Sequence, residues 1–176
     1  MPGRLEGRRV VVLVADGFED LEFWVTVMRL REEGAVVAIA GEEPGRTLRG
    51  KHALEAAADV AVADVRADDV DAVVVPGGWA PDKLRRSEDV LDLVRKVNDQ
   101  GKIVGMICHA GWVGASAGIV AGKRATGSRG IRDDLVNAGA TWVDEPALRD
   151  ANLVWGRVVE DIPDFCRQLV AAIAEA

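Results

Sequence analysis

The sequence is short of several things that would otherwise define it. It contains no tyrosine, only two cysteines and two histidines, and its aromatic fraction is 5%. Cys108 and Cys166 lie far apart in different contexts, so no disulfide framework is expected. With His52 and His109 as the only imidazoles, soft metal ligands are too few for a transition-metal centre, and no metal is expected. Positive charge is also scarce: 29 Asp+Glu face 22 Lys+Arg, a formal charge of −7. Such a surface repels phosphate backbones and anionic lipid, which excludes nucleic-acid or membrane binding by general electrostatics. No apolar run approaches the ~18 residues that cross a bilayer. The basic stretch from Met1 to Arg9 leads into no signal-peptide core, and the expected location is the cytoplasm.

What is present fits one compact α/β domain over residues 1–176, with enough chain to bury its own core. Val10–Ala15, Ala35–Ala40, Asp71–Val75 and Ile103–Ile107 are short apolar, β-branched runs, as expected of strands buried on both faces of a parallel sheet. Between them, Leu21, Trp24, Val25 and Met28 form one helical stripe that ends at Gly34, and Val90, Leu93, Val94 and Val97 form another. Residues 41–65 read as a short hairpin or edge elaboration. Ile131–Asn137 reads as a short helix, Thr141–Val143 and Asn152–Trp155 as strand pieces. Ile162, Phe165, Cys166, Leu169 and Ile173 mark a last helix with Pro163 in its first turn. The alternation predicts a doubly wound, mostly parallel sheet.

In such sheets the site lies outside the carboxyl ends of the strands. Three of these ends carry unusual residues: Asp16-Gly17-Phe18-Glu19-Asp20, Pro76-Gly77-Gly78-Trp79 and Cys108-His109-Ala110-Gly111. Cys108 follows a strand and opens a helix, where unpaired N–H groups and the helix dipole favour a thiolate. Small neighbours leave room for a nucleophile elbow. His109 is either a general base or a backbone donor. Gly77-Gly78 forms a turn whose N–H groups can approach a reacting carbonyl. Glu19, Asp20 and Glu22 all suit a helix N-terminus; that is the expected role of Asp20 and Glu22, while Glu19 stands open between it and an acid that donates to the thiolate. Trp24, Trp79 and Trp112, each near one of these ends, are candidate walls of a substrate pocket. Cys166 is expected in the core.

Phe18-Glu19-Asp20-Leu21-Glu22, Gly50-Lys51-His52, Pro76-Gly77-Gly78-Trp79-Ala80-Pro81-Asp82, Ile107-Cys108-His109 and Gly130-Ile131-Arg132-Asp133-Asp134 stand in an order that resembles the PfpI-type intracellular peptidases and the Parkinsonism-associated deglycase, one superfamily with a class I glutamine amidotransferase-like fold. The resemblance spans about Val10 to Val170. It implies a flavodoxin-like three-layer α/β/α sandwich with a small edge hairpin, and a homo-oligomer: a dimer, built up to a hexamer in some members. It places Cys108 as nucleophile, His109 beside it and Glu19 as the buried acid on the cysteine. The backbone N–H groups of Gly78 and His109 would form an oxyanion hole, and Asp82 would face the histidine across a subunit interface. Family activities are cofactor-free conversion of methylglyoxal to lactate, removal of early glyoxal adducts from proteins, and peptide hydrolysis. The implied substrates are therefore small aldehydes or glycated proteins and peptides. A non-enzymatic redox sensor or chaperone, with Cys108 oxidised to sulfinate, is a further reading. The chain departs from the family in having Asp82 for a usual Glu, Ala110-Gly111 for Gly-Pro, and Ser128 where many relatives carry tyrosine near the pocket.

Overall fold

The computed structural model describes residues 3–176. In chain order the strands are β1 (Arg9–Leu13), β2 (Val36–Gly41), β3 (Thr47–Arg49), β4 (Glu55–Ala57), β5 (Val60–Ala61), β6 (Ala72–Val75), β7 (Ile103–Ile107), β8 (Arg124–Ala125), β9 (Thr141–Trp142), β10 (Ala147–Asp150) and β11 (Leu153–Gly156). The α-helices are α1 (Asp20–Glu32), α2 (Ala80–Leu84), α3 (Glu88–Asp99), α4 (Gly111–Ala117), α5 (Arg132–Asn137) and α6 (Ile162–Glu175). Seven strands form one sheet in the order β10-β11-β7-β6-β1-β2-β5, parallel throughout except for β10. Helix α1 packs with α6, and α3 with α4, giving the three layers expected of the flavodoxin-like sandwich. The hairpin expected in residues 41–65 is β3–β4, a separate two-stranded antiparallel sheet.

The central strands are apolar because both faces are covered. Every residue of β6 and β7 is buried. The chain leaves β1 for β2 on one side and later returns to β6 on the other, so a topological switch point opens beside the carboxyl end of β1. The loops after β1, β6 and β7 meet there.

Helix α1 differs from its expected orientation. Phe23, Val27 and Leu30 with Thr26 form the buried face, whereas Leu21, Val25 and Met28 are exposed, Met28 by 61%, and Trp24 is half-buried. Two apolar stripes compete on this helix, and its N-terminal anchor selects between them. Glu19 is the N-cap, and its carboxylate accepts the Glu22 N–H at 2.8 Å. Phe18 then packs on Phe23, ring centroids 4.8 Å apart, as a hydrophobic staple that turns Phe23 inward.

Three elements fell outside the sequence reading. Helix α2 is a single turn with Pro81 at its start, β8 has two residues, and β10 is a half-exposed edge strand whose sequence, ALRD, carries little apolar signal.

Candidate active site

Cys108 leaves β7 with φ +60°, a left-handed conformation that side chains rarely adopt. This is a strained elbow that points the thiol into the crevice rather than along the sheet, and such strain costs of order 1–3 kcal/mol. The sulfur lies 3.2 Å from His109 Nδ1, so the adjacent residues pair directly. Burial first, and the Lys51 charge second, push the imidazole pKa down. Its surroundings thus favour the neutral imidazole, whose ring meets Trp112 edge-on at 5.2 Å. The backbone N–H groups of His109 and Gly78 both favour the charged form of the sulfur.

It is Glu22, rather than the expected Glu19, whose carboxyl the structure turns toward the thiol. As N-cap, Glu19 spends its carboxylate on the first turn of α1. Glu22, three residues on, projects into the crevice, where one oxygen accepts the Gly77 N–H at 2.8 Å. Its other oxygen, Oε1, is buried without a partner, a placement that penalises a full negative charge. Burial first, and the neighbouring Glu19 second, raise its pKa from 4.5 to about 7; the Gly77 N–H, Cys108 and Lys51 oppose the rise. The Cys108 thiol is pushed up to about 12, by burial first and then by the charge and hydrogen bonding of Glu22, against the pull of the two N–H groups. Glu22 disfavours ionisation of Cys108 whereas the thiol's hydrogen bond eases that of Glu22, so the pair holds one negative charge between about pH 7 and 12.

Asp20, expected to serve the helix dipole, accepts the backbone N–H groups of His52 and Leu54 at 2.8 and 2.7 Å and ties the 50–54 turn to the site. Gly78 has φ +79°, and a Cβ there would lie 2.5 Å from Glu19 N, so only glycine fits the turn.

Glu22, Lys51, Gly78, Trp79, Asp82, Cys108, His109 and Trp112 share one cavity of about 530 Å³, closed on another side by residues 158–160. Trp79 and Trp112 stand in its wall. Trp24 does not: it packs edge-on against Phe23 at 5.0 Å, outside the cavity. Ser128 is outside as well, donating its backbone N–H to the Cys108 carbonyl at 3.2 Å and capping the following turn. Asp82 reaches the wall, but its carboxylate pairs with Arg86 at 3.2 Å and is no partner of His109 within the chain. Cys166 is buried, 3.9 Å from the Thr26 hydroxyl. No group of three or more potential metal ligands occurs among the described residues.

The DJ-1/PfpI family pattern matches residues 8–172. The chain is 40% identical over 162 residues to a deglycase of Pyrococcus abyssi, covering 92% of this chain and 97% of that one. It is 33% identical over 169 residues to general stress protein 18 of Bacillus subtilis, covering 95% and 98% of the two chains. The Drosophila melanogaster DJ-1beta crystal structure superposes with a TM-score of 0.89 at 29% identity, over 96% of this chain and 91% of that one. An elbow cysteine beside a histidine on a seven-stranded sheet, together with these matches over nearly the whole chain, makes this protein a member of the DJ-1/PfpI family.

Proposed function

We propose that the protein is a cofactor-independent cysteine enzyme acting on reactive carbonyls, converting methylglyoxal to lactate or removing early glyoxal adducts from proteins. The observation that carries this reading is the Cys108 sulfur held between a neutral imidazole and a carboxyl with a pKa near neutrality. In this mechanism the thiolate adds to the aldehyde carbon, and the N–H groups of Gly78 and His109 hold the resulting oxyanion. Glu22, having given its own proton to that oxyanion, then removes the proton from the same carbon and returns one to the adjacent carbonyl carbon. The aldehyde carbon is thereby oxidised to a thioester and the ketone carbon reduced to an alcohol, so no external oxidant or reductant is required. Water then cleaves the thioester and releases lactate and the thiol. Cys108→Ser is expected to lower lactate formation from methylglyoxal by roughly a thousandfold or more. A serine variant with the wild-type rate would overturn the proposal.

Peptide hydrolysis is the second reading. It needs an orienting group on His109, and Asp82 of the same chain is committed to Arg86, so the orienter would have to come from another copy.

The protein is further proposed to work as a homo-oligomer. The outward stripe of α1 supports this, because Leu21, Val25 and Met28 give one helix face three exposed large apolar side chains. A particle mass of at least a dimer is expected by light scattering, and the double substitution Val25→Glu, Met28→Glu is expected to reduce it. An unchanged mass would remove α1 from the interface.

A further inference from the structure

Lys51 is unexplained by the chemistry above. It sits on the turn after β3, held by its own N–H to the Phe18 carbonyl at 2.8 Å and by the clamp of Asp20 on His52 and Leu54. Its ammonium stands 5.7 Å from the centre of the Trp79 ring, and both residues line the cavity that holds Cys108. Trp79 is 62% exposed, so the cation and the indole form an open rim rather than a packed contact. Acids on the neighbouring segments are already engaged: Asp16 with Arg46, Glu55 with Arg49, Asp82 with Arg86. Of the other acids in the wall, Glu19 caps α1 and Glu22 shares its charge with Cys108, which leaves Glu160 as the opposing anion. Lys83 adds a second cation to the same wall. The field of Lys51 reaches the reacting groups: burial dominates the ionisation of both Glu22 and His109, yet the Lys51 charge acts on each.

We propose that Lys51 is a specificity-determining residue that receives a carboxylate on the substrate, so that the site prefers 2-oxoaldehydes or aldehyde adducts carrying an anionic group over neutral ones. The proposal rests on Cys108 as the reacting group, with the apolar part of such a substrate lying on Trp79 and its carboxylate at the ammonium. Unlike a buried ion pair, an exposed rim cation gives a modest and salt-sensitive preference.

The test uses two alkylating agents that differ in charge. In both, the thiolate displaces iodide and forms a carbon–sulfur bond, but iodoacetate carries a carboxylate where iodoacetamide is neutral. The measured quantity is the ratio of their rate constants at Cys108, followed by peptide mapping, in wild type, Lys51→Met and Lys51→Arg. Relative to a free thiol, the wild-type ratio is expected to favour iodoacetate by about fivefold at low salt and to shrink as salt is raised. Lys51→Met should lower the ratio at least about threefold, and Lys51→Arg should retain it. A wild-type ratio equal to that of a free thiol, or one unchanged in Lys51→Met, overturns the proposal. The carbonyl reading is judged separately: loss of methylglyoxal turnover with a Lys51-dependent ratio intact sinks that reading and leaves the anion subsite standing.

Discussion

Glu22→Gln is expected to make the protein more stable and less reactive, both as functions of pH. The Glu22 pKa is raised from 4.5 to about 7 in the folded state. The folded state therefore binds more proton than the unfolded state between those values. Its stability from this group is fully present below about pH 4.5 and is lost as pH rises through about 7. The shift corresponds to an upper bound of about 3 kcal/mol. Glutamine keeps an oxygen for the Gly77 N–H and carries no charge, so it escapes that loss. In urea unfolding the variant should gain on wild type by up to about 3 kcal/mol at pH 8 relative to their difference at pH 4.5. For a chain of this size that is a rise in Tm of roughly 6–12 °C at pH 8. A difference between the two proteins that does not vary with pH would show that Glu22 is already ionised at no cost.

The same substitution should disarm the thiol. In wild type, losing one proton from the Glu22–Cys108 pair allows a thiolate hydrogen-bonded to a protonated carboxyl. Cys108 alkylation should then rise with a midpoint near pH 7 and level off. Without the carboxyl, the thiol ionises alone. Burial, the largest of its upward influences, remains, so the rise should move above pH 9. An unchanged midpoint would remove Glu22 from the activation of the thiol. Together the outcomes describe a site that sacrifices stability for reactivity.

Gly77→Ala should damage the site without replacing either residue of the Glu22–Cys108 pair. A Cβ on Gly77 would lie 2.4 Å from the Glu22 oxygen, 2.7 Å from Cys108 Cβ and 3.1 Å from the Ile107 carbonyl. Neither the strand end nor the elbow can move away cheaply, because both are anchored in the buried sheet. The added methyl must displace Glu22 from the Gly77 N–H, shift the Cys108 elbow, or both. A loss of at least about tenfold in Cys108 alkylation at pH 7 is expected, with destabilisation of about 1–3 kcal/mol. Wild-type reactivity in a folded Gly77→Ala protein would mean that the carboxyl and the thiol need not be held in register.

Much of this was legible in the residues. The four β-branched runs had to be covered on both faces, and the helical stripes between them could do that only in a parallel sheet, so the sandwich and the position of the site at its strand ends followed. Cys108 could be located because a cysteine between a buried strand and a small-residue helix has few other placements. Elements with little apolar content, such as β10 and the single turn of α2, left no such trace.

The decisions that escaped the sequence all concern direction. Glu19 and Glu22 are both acids in the opening of α1, and residue type and spacing do not say which one turns toward Cys108. The N-cap geometry of Glu19 and the packing of Phe18 on Phe23 rotate the helix so that Glu22 meets the Gly77 N–H. That same rotation turns Leu21, Val25 and Met28 outward and keeps Trp24 out of the cavity. The continuous apolar runs and the helical stripes thus determined which layers exist and where Cys108 stands, because burial depends on composition along the chain. Which carboxyl acts on the sulfur, and which face of α1 is left uncovered, depended on angles between elements, and only the packed tertiary structure sets those.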